Sequence, residues 1–203
     1  MTSDPVVQKA GDGSHGPAGP RPVRVATQRD ISAIHALVEA AYRGDSAKRG
    51  WTHEADLLGG QRTDTDELAG LIAAAGSAIL LAEADGRVLG CVHVTARPGA
   101  LAYLGLLSVH PDAQAGGLGR RLIDAAEHHA ATMFGAEIME MTVIQQRPEL
   151  IAWYERRGYR RTGEQRPFPL DDPRCGIPIT RELAFVVLAK RIGLAEPMEP
   201  LSS

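Results

Sequence analysis

One stretch limits the fold of this chain more than any other: LLSVHPDAQAGGLGRRLID, from Leu106 to Asp124. Leu106, Leu107 and Val109 are strand formers, and Pro111 ends the strand. Gln114, Gly116, Gly117 and Gly119 occupy a loop and the first helical turn. Leu118, Leu122, Ala126, His129 and Met133 then recur at helical spacing. A strand, a glycine loop and a helix in that order can aim several backbone N–H groups at one point. The helix dipole adds roughly half a positive charge there. That point suits an anion such as a diphosphate.

The rest of the chain is compatible with a sheet built around this unit. Its 203 residues, 44% hydrophobic and 23% charged, suit one domain with a full core. A net charge of −3 gives no global basic excess for nucleic acid. No apolar run reaches the length of a membrane span, and the N-terminus has no signal-peptide core. Cys91 and Cys175 make neither a disulfide framework nor a metal set. A cytoplasmic setting is the expectation, with no nucleic-acid or membrane partner. Residues 1–21 and 195–203 are poor in apolar groups and are read as a disordered N-terminal tail and a C-terminal tail around a domain at 22–194.

Within the domain, Val23–Ala26 reads as a strand and Thr27-Gln28-Arg29-Asp30 as a capping box with Asp in the acidic position. Ile31, Ile34, Leu37, Val38 and Ala41 follow at helical spacing. A polar segment, Arg43 to Thr65, is long for a connection. Asp66–Ala75 reads as a helix stopped by Gly76. Ala78–Ala84 and Arg87–Ala96 flank Asp85-Gly86, a strong hairpin signal. Strands at Leu101–Val109 and Ile138–Ile144 bracket the helix Gly117–Phe134. Pro148–Arg157 is a helix with Pro at its start and Gly158 past its end. Tyr159–Glu164 and Leu183–Ala189 are the last strands, separated by a proline-rich excursion. Hairpins followed by a β-α-β crossover predict a mixed α/β sheet.

Spacing excludes the two common nucleotide loops. A dinucleotide loop needs G-x-G-x-x-G after the first strand of a parallel sheet, whereas hairpins precede this one. A P-loop needs G-x-x-x-x-G-K-[ST], and here no Lys, Ser or Thr follows the glycines. Gln114-Ala115-Gly116-Gly117-Leu118-Gly119 instead fits Q/R-x-x-G-x-G/A, five residues after the Val of L-x-V-x-P (Leu107, Val109, Pro111). With this motif the chain resembles the GNAT superfamily of acetyl-CoA-dependent N-acetyltransferases. A second motif agrees: in ELIAWYERRGY, Tyr154, Glu155, Arg156, Gly158 and Tyr159 match the family's Y-E-[KR]-x-G-[FY]. The resemblance covers about residues 21–190, in element order as well as motif. It implies the GNAT fold: a mostly antiparallel sheet of about seven strands, splayed at the acetyl-CoA site and flanked by about four helices.

The resemblance also implies roles. Backbone N–H groups from Gly116 through Gly117, Leu118 and Gly119 to Arg120 would cradle the coenzyme A diphosphate. Arg120 or Arg121 adds charge or forms a solvated helix face. Gln114 orients the loop or caps it. The pantetheine arm would run along the strand of Leu107 and Val109, with Gly105 at a bulge and the Val109 N–H on the thioester carbonyl. Tyr154 would protonate the departing thiolate. Three departures concern the general base and its surroundings: Arg147 stands where many members carry Asn, Leu150 replaces a frequent Ala, and Tyr103–Leu106 lacks the family's frequent Glu.

The acceptor side rests on less. A lysine-like amine is neutral in only about 0.04% of molecules at pH 7 and an α-amino group in about 10–15%, so the first needs a base more than the second. Glu54 and His53, in the loop Gly50–Asp56 with Trp51, are the candidates, Glu54 first; a solvated loop carboxylate is the alternative. That acidic, aromatic-bearing loop favours a small cationic acceptor. His93 shares a strand face with Leu89 and Cys91 and reads as a core histidine. His128 and His129 have no ligand partner at metal spacing, so no metal site is expected. The expected function is acetyl transfer from acetyl-CoA to a primary amine of a small molecule, by direct attack with a tyrosine acid, in a monomer or homodimer. A protein N-terminal or lysine acetyltransferase and a non-catalytic acyl-CoA-binding module are the alternatives. Arg156, Arg157, Arg160 and Arg161 would serve the coenzyme's 3′-phosphate or be solvated.

Overall fold

A computed structural model describes residues 22–42, 56–170 and 177–193. Chain order is β1 (Arg24–Val25), a 3-10 turn, α1 (Ile31–Tyr42), β2 (Leu58–Gly59), α2 (Thr65–Ala73), β3 (Ser77–Ala84) and β4 (Arg87–Arg97). There follow β5 (Leu101–Val109), a 3-10 helix (Pro111–Gly116), α3 (Leu118–Phe134), β6 (Ile138–Ile144), α4 (Pro148–Glu155), β7 (Arg160–Pro167), β8 (Ile177–Pro178) and β9 (Ala184–Arg191). Seven strands form one sheet in the order β1-β3-β4-β5-β6-β9-β7. Only β5 and β6 run parallel; the other neighbours are antiparallel. The four helices and mostly antiparallel sheet among the described residues are the expected GNAT architecture. The tails expected at 1–21 and 195–203 lie outside the described residues, as do Trp51, His53, Glu54 and Cys175.

Local chemistry accounts for the main turns. Asp85 and Gly86 both take positive φ (50° and 73°), the geometry that a two-residue hairpin demands. The Asp30 carboxylate accepts the Thr27 N–H at 2.7 Å and starts the turn into α1. Burial on both faces explains the unbroken apolar run of β3. Ala78, Leu80 and Ala82 pack with Leu122, Ala126 and Tyr154 of α3 and α4. Ile79 and Leu81 pack with Ile34, Val38 and Leu68 of α1 and α2. Gly90 lets α3 approach β4: a Cβ there would lie 2.8 Å from Leu122 Cδ1 and 3.1 Å from the Ser108 carbonyl oxygen.

Two features depart from the sequence-based expectation. The segments read as loops contribute β2 and β8, which pair Leu58 with Pro178 and Gly59 with Ile177. Two-residue strands carry no periodicity to read. The bulge lies beside Gly105, not at it. Cys91 faces Ser108 and His93 faces Gly105, so Leu106 and Leu107 together oppose Val92. Leu106 takes φ +51°, which is uncommon for a residue with a side chain. Its carbonyl accepts the Ser108 hydroxyl at 3.2 Å and lies 3.7 Å from the Cys91 thiol, and its side chain is buried against the α1 side. Long-range packing therefore sets the bulge, and glycine's freedom is not needed.

The bulge and the short parallel pairing position the site. β5 and β6 pair only through Leu101–Tyr103 and Ile138–Glu140. Beyond Tyr103 they diverge, bridged by a 2.6 Å hydrogen bond between the Tyr103 and Thr142 hydroxyls.

Candidate active site

Two cavities lie where the strands part. The first, about 270 Å³, lies between the C-terminal end of β5, the start of α3 and helix α4. Leu107, Val109, Gln114, Gly117, Gly119, Arg120 and Tyr154 line it, so two motifs separated by 34 residues in sequence (120 to 154) converge on one space. Gly116 and Leu118 do not line it; they border a depression on the other side of the α3 start.

Gly117 caps α3 with φ +72°, a conformation that a side chain would strain. The first helical hydrogen bond runs from the Arg121 N–H to the Gly117 carbonyl at 3.2 Å. The N–H groups of Leu118, Gly119 and Arg120 lie ahead of it, where a helix has no acceptors of its own. A Cβ on Gly116 or Gly117 would meet no protein atom within 4 Å. Packing thus does not require glycine at either position; at Gly117 the positive φ favours it. Gln114 donates through Nε2 to the Val109 carbonyl at 3.3 Å and ties the loop to the strand end. Arg157 lines the same cavity with its guanidinium 3.4 Å from the Trp153 ring centre and Nη1 donating to the Trp153 carbonyl. Its Nε is buried without a hydrogen-bond partner. Burial, with Arg156 and Arg120 nearby, holds the Arg157 pKa below its usual value, a cation that an anion would relieve. The glycine loop, helix start and Arg157 are groups that could hold a diphosphate.

The second cavity, about 260 Å³, lies in the gap between β5 and β6. Tyr42, Leu107, Arg147, Leu150 and Tyr154 border both cavities and form the waist between them. Tyr154, 6% exposed, stands edge-on to Trp153 and Tyr159, with ring centres 5.0 and 5.9 Å away. Burial pushes its phenol well above the ordinary range, Tyr42 and Tyr103 add to this, and Arg147 opposes it. The phenol therefore keeps its proton and is a donor at the waist. No hydrogen bond engages its hydroxyl among the described residues.

Sequence reasoning missed Tyr42, Arg62 and Trp153 as cavity residues, noted Arg147 only as a departure, and offered Arg157 only within a cluster of four arginines for the coenzyme's 3′-phosphate or for solvent. Tyr42 follows the apolar stripe of α1 by one residue and donates its hydroxyl to the Leu107 carbonyl at 2.7 Å. A large aromatic at the end of an amphipathic helix was the available signal. Glu54 and His53 lie outside the described residues. His93 is buried, its Nε2 2.9 Å from the Ser77 hydroxyl. That hydroxyl spends its proton on the Leu71 carbonyl, so the imidazole donates Nε2–H, and burial pushes its pKa down to about 4. It lines neither cavity, as a core histidine. Among the described residues no three His, Cys, Asp or Glu side chains are grouped to hold a metal ion, and no helix is long and apolar enough to cross a membrane.

The sequence profile of the acetyltransferase (GNAT) family matches residues 34–159, more than half of the chain. A search of curated proteins finds no match. Many solved structures share the fold. The yncA protein of Salmonella typhimurium, solved with its cofactor acetyl-CoA, superposes with a TM-score of 0.63 at 20% identity, over 92% of this chain and 100% of that one. The ribosomal-protein-S18-alanine N-acetyltransferase of Escherichia coli gives 0.61 at 16% identity, over 88% and 98%. The spermidine N-acetyltransferase SpeG of Vibrio cholerae, as a variant, gives 0.61 at 16% identity, over 83% and 92%.

Proposed function

The chain belongs to the acetyltransferase (GNAT) family and is an acyltransferase; from that premise we propose that it moves an acetyl group from acetyl-CoA to a primary amine of a small molecule. The observation that carries this reading is the waist: two cavities beside a splayed sheet share the protonated Tyr154 as a common wall.

On this reading, the N–H groups at the start of α3, from Gly117 to Arg120, receive the diphosphate, and Arg157 adds a positive charge. Gly116 and Leu118 shape the loop from behind. The arm of the donor lies along Leu107 and Val109, where the bulge has turned β5 away from β6. The Val109 N–H stabilises the charge that develops on the thioester oxygen. The amine enters from the second cavity, its nitrogen bonds to the acyl carbon, and the carbon–sulfur bond breaks. Tyr154 gives its proton to the leaving sulfur, and the amine's proton passes to a base, for which Glu54 is the proposed carboxylate. Gln114 holds the loop against β5 throughout.

The reading is tested in two steps. Calorimetry with acetyl-CoA alone comes first; binding at sub-millimolar ligand is expected. A screen of small amines and peptides then follows the release of free thiol, and turnover with a small amine is expected. Absence of binding refutes the reading, and turnover with peptides alone replaces it with protein acetylation.

A further inference from the structure

A third apolar cluster adjoins the second cavity, and it differs from the other two. The cluster under α3 and α4 and the cluster under α1 and α2 each include helix residues. Among the described residues this one is built from strands and loops alone. Four of its members, Leu58, Ile144, Phe168 and Phe185, also line the cavity. Leu58 is brought there by β2, which β8 holds in place: the Ile179 N–H donates to the Leu57 carbonyl at 2.9 Å. Phe185 stands opposite Ile144 across the antiparallel pair β6 and β9, so both side chains leave the sheet on the same face. Phe168, just past β7, brings its ring centre to 5.1 Å from that of Phe185, the planes tilted by 36°. Met141 and Val143 of β6 line the same cavity and pack in one cluster with Tyr154. An apolar wall with an aromatic pair thus runs beside the space that Tyr154 borders.

We propose that the acceptor is a primary amine on an uncharged apolar body, such as an alkyl chain or a phenyl ring, and that the wall around Phe168 and Phe185 receives this body while the amine turns to the waist. This rests on the acetyl-transfer reading above and narrows its acceptor class. The side chains of the wall offer a polar body no hydrogen bonds, whereas hydrocarbon set against them leaves water and gains contact with the rings. A cavity of about 260 Å³ limits how far such a body can grow before the gain stops. A second ammonium at the far end of the acceptor would surrender its hydration against the same wall, and the ring faces would return only part of that cost. Arg62 and Arg147 also border the cavity, and no part of the acceptor is assigned to them.

The test follows thiol release at saturating acetyl-CoA with ethylamine, propylamine, butylamine and pentylamine, whose ammonium groups titrate alike, and with phenethylamine. Cadaverine, which is pentylamine with a second terminal ammonium, is the charged counterpart. The expected kcat/KM rises about fourfold with each added methylene, the gain for burying one such group. Phenethylamine should match or exceed butylamine, and pentylamine should exceed cadaverine at least tenfold. Phe185→Ala should remove most of the advantage of pentylamine over ethylamine and leave the acetyl-CoA KM within twofold; Phe185→Leu should restore part of it. A flat or falling series, or cadaverine equal to pentylamine, overturns the proposal and leaves acetyl transfer standing. So does thiol release with polar amines or peptides but with none of this series. A Phe185→Ala effect of equal size on ethylamine and pentylamine marks a structural role and overturns the assignment to this wall. Should Phe185→Ala fail to fold, the wild-type series decides alone. Binding of acetyl-CoA with no thiol release from any acceptor refutes the transfer reading and this proposal with it.

Discussion

Tyr154→Phe separates chemistry from architecture more cleanly than any other substitution here. The ring that packs edge-on to Trp153 and Tyr159 is kept, and only the hydroxyl is lost. That hydroxyl engages no described neighbour, so its removal leaves no buried group unsatisfied. The melting temperature should shift by less than about 2 °C, since the change in stability stays within about 0.5 kcal/mol. The rate argument starts in water, where a phenol at about 10 and a thiol at about 8.5 differ by about 1.5 units, or about 2 kcal/mol. Burial raises the phenol, but the same dry waist also raises the departing thiol, so the gap is roughly preserved. General acid catalysis contributes about 10²–10⁴ where the leaving group is poor. A thiolate leaves more readily, which sets the expected fall in kcat at tenfold to a hundredfold, about 1.4–2.7 kcal/mol in the barrier. The acetyl-CoA dissociation constant, by calorimetry, should stay within twofold. The raised phenol also predicts no fall in wild-type kcat from Tyr154 ionisation below pH 10. Unchanged kcat with a confirmed acceptor refutes the acid role, and a collapse in acetyl-CoA affinity shows that the hydroxyl serves binding instead.

Three further outcomes follow from the packing. Gly90→Ala places a Cβ 2.8 Å from Leu122 Cδ1 and 3.1 Å from a backbone oxygen, where neither neighbour can retreat freely. It should cost about 1–3 kcal/mol and lower the melting temperature by about 2–12 °C, and an unchanged melting curve would contradict the close approach of α3 to β4. Gly119→Val sets a Cβ 3.3 Å from Trp153 Cζ2 and narrows the first cavity, so the acetyl-CoA KM should rise at least tenfold in steady-state assays while the fold still melts cooperatively, at a somewhat lower temperature. An unaltered KM would place the cofactor elsewhere. His93 is neutral in the folded protein because burial pushes its pKa down to about 4. The unfolded chain takes up the proton below about 6.5, so stability should fall as pH drops from about 6.5 to about 4, by up to about 3 kcal/mol, and His93 should contribute no slope above that window. Urea midpoints of the wild type and His93→Gln at pH 7 and 4.5 isolate this difference, and parallel slopes would refute it.

How much was legible follows from how each half of the site is encoded. The proposed cofactor half draws on backbone groups and glycines in one contiguous segment, Gln114 to Arg120, and on Tyr154 in a helix with its own pattern. Local sequence carries both. Asp85-Gly86 is a turn that needs no partner to be read. The second cavity is different. Tyr42, Arg62, Arg147 and Phe168 come from four separate segments, and only the folded sheet brings them together. Strands of two residues, as in β2 and β8, offer no alternation. The bulge shows the limit most clearly. Gly105 looked like its seat because glycine tolerates unusual dihedrals, yet Leu106 carries the positive φ. Its conformation is fixed by the Ser108 hydroxyl and by burial under α1, a constraint that no window around residue 105 contains.

That strained residue explains why the two cavities exist as one site. A leucine held at positive φ costs about 1–3 kcal/mol, so the surroundings must over-determine it. They do so by seating the Leu106 side chain in the core on the α1 side and gripping its carbonyl. A regular β5 would keep its pairing register with β4 and could continue its parallel ladder with β6 past Tyr103. The ladder would close the gap that Tyr103 and Thr142 now bridge, and Tyr154 would face a continuous sheet. With the bulge, β5 leaves β6 after three residues, its carbonyl at Leu107 turns to the Tyr42 hydroxyl, and both cavities reach one phenol. The strain at Leu106 is thus tied to the shape of the waist through backbone geometry, at a residue that lines only the second of the two cavities.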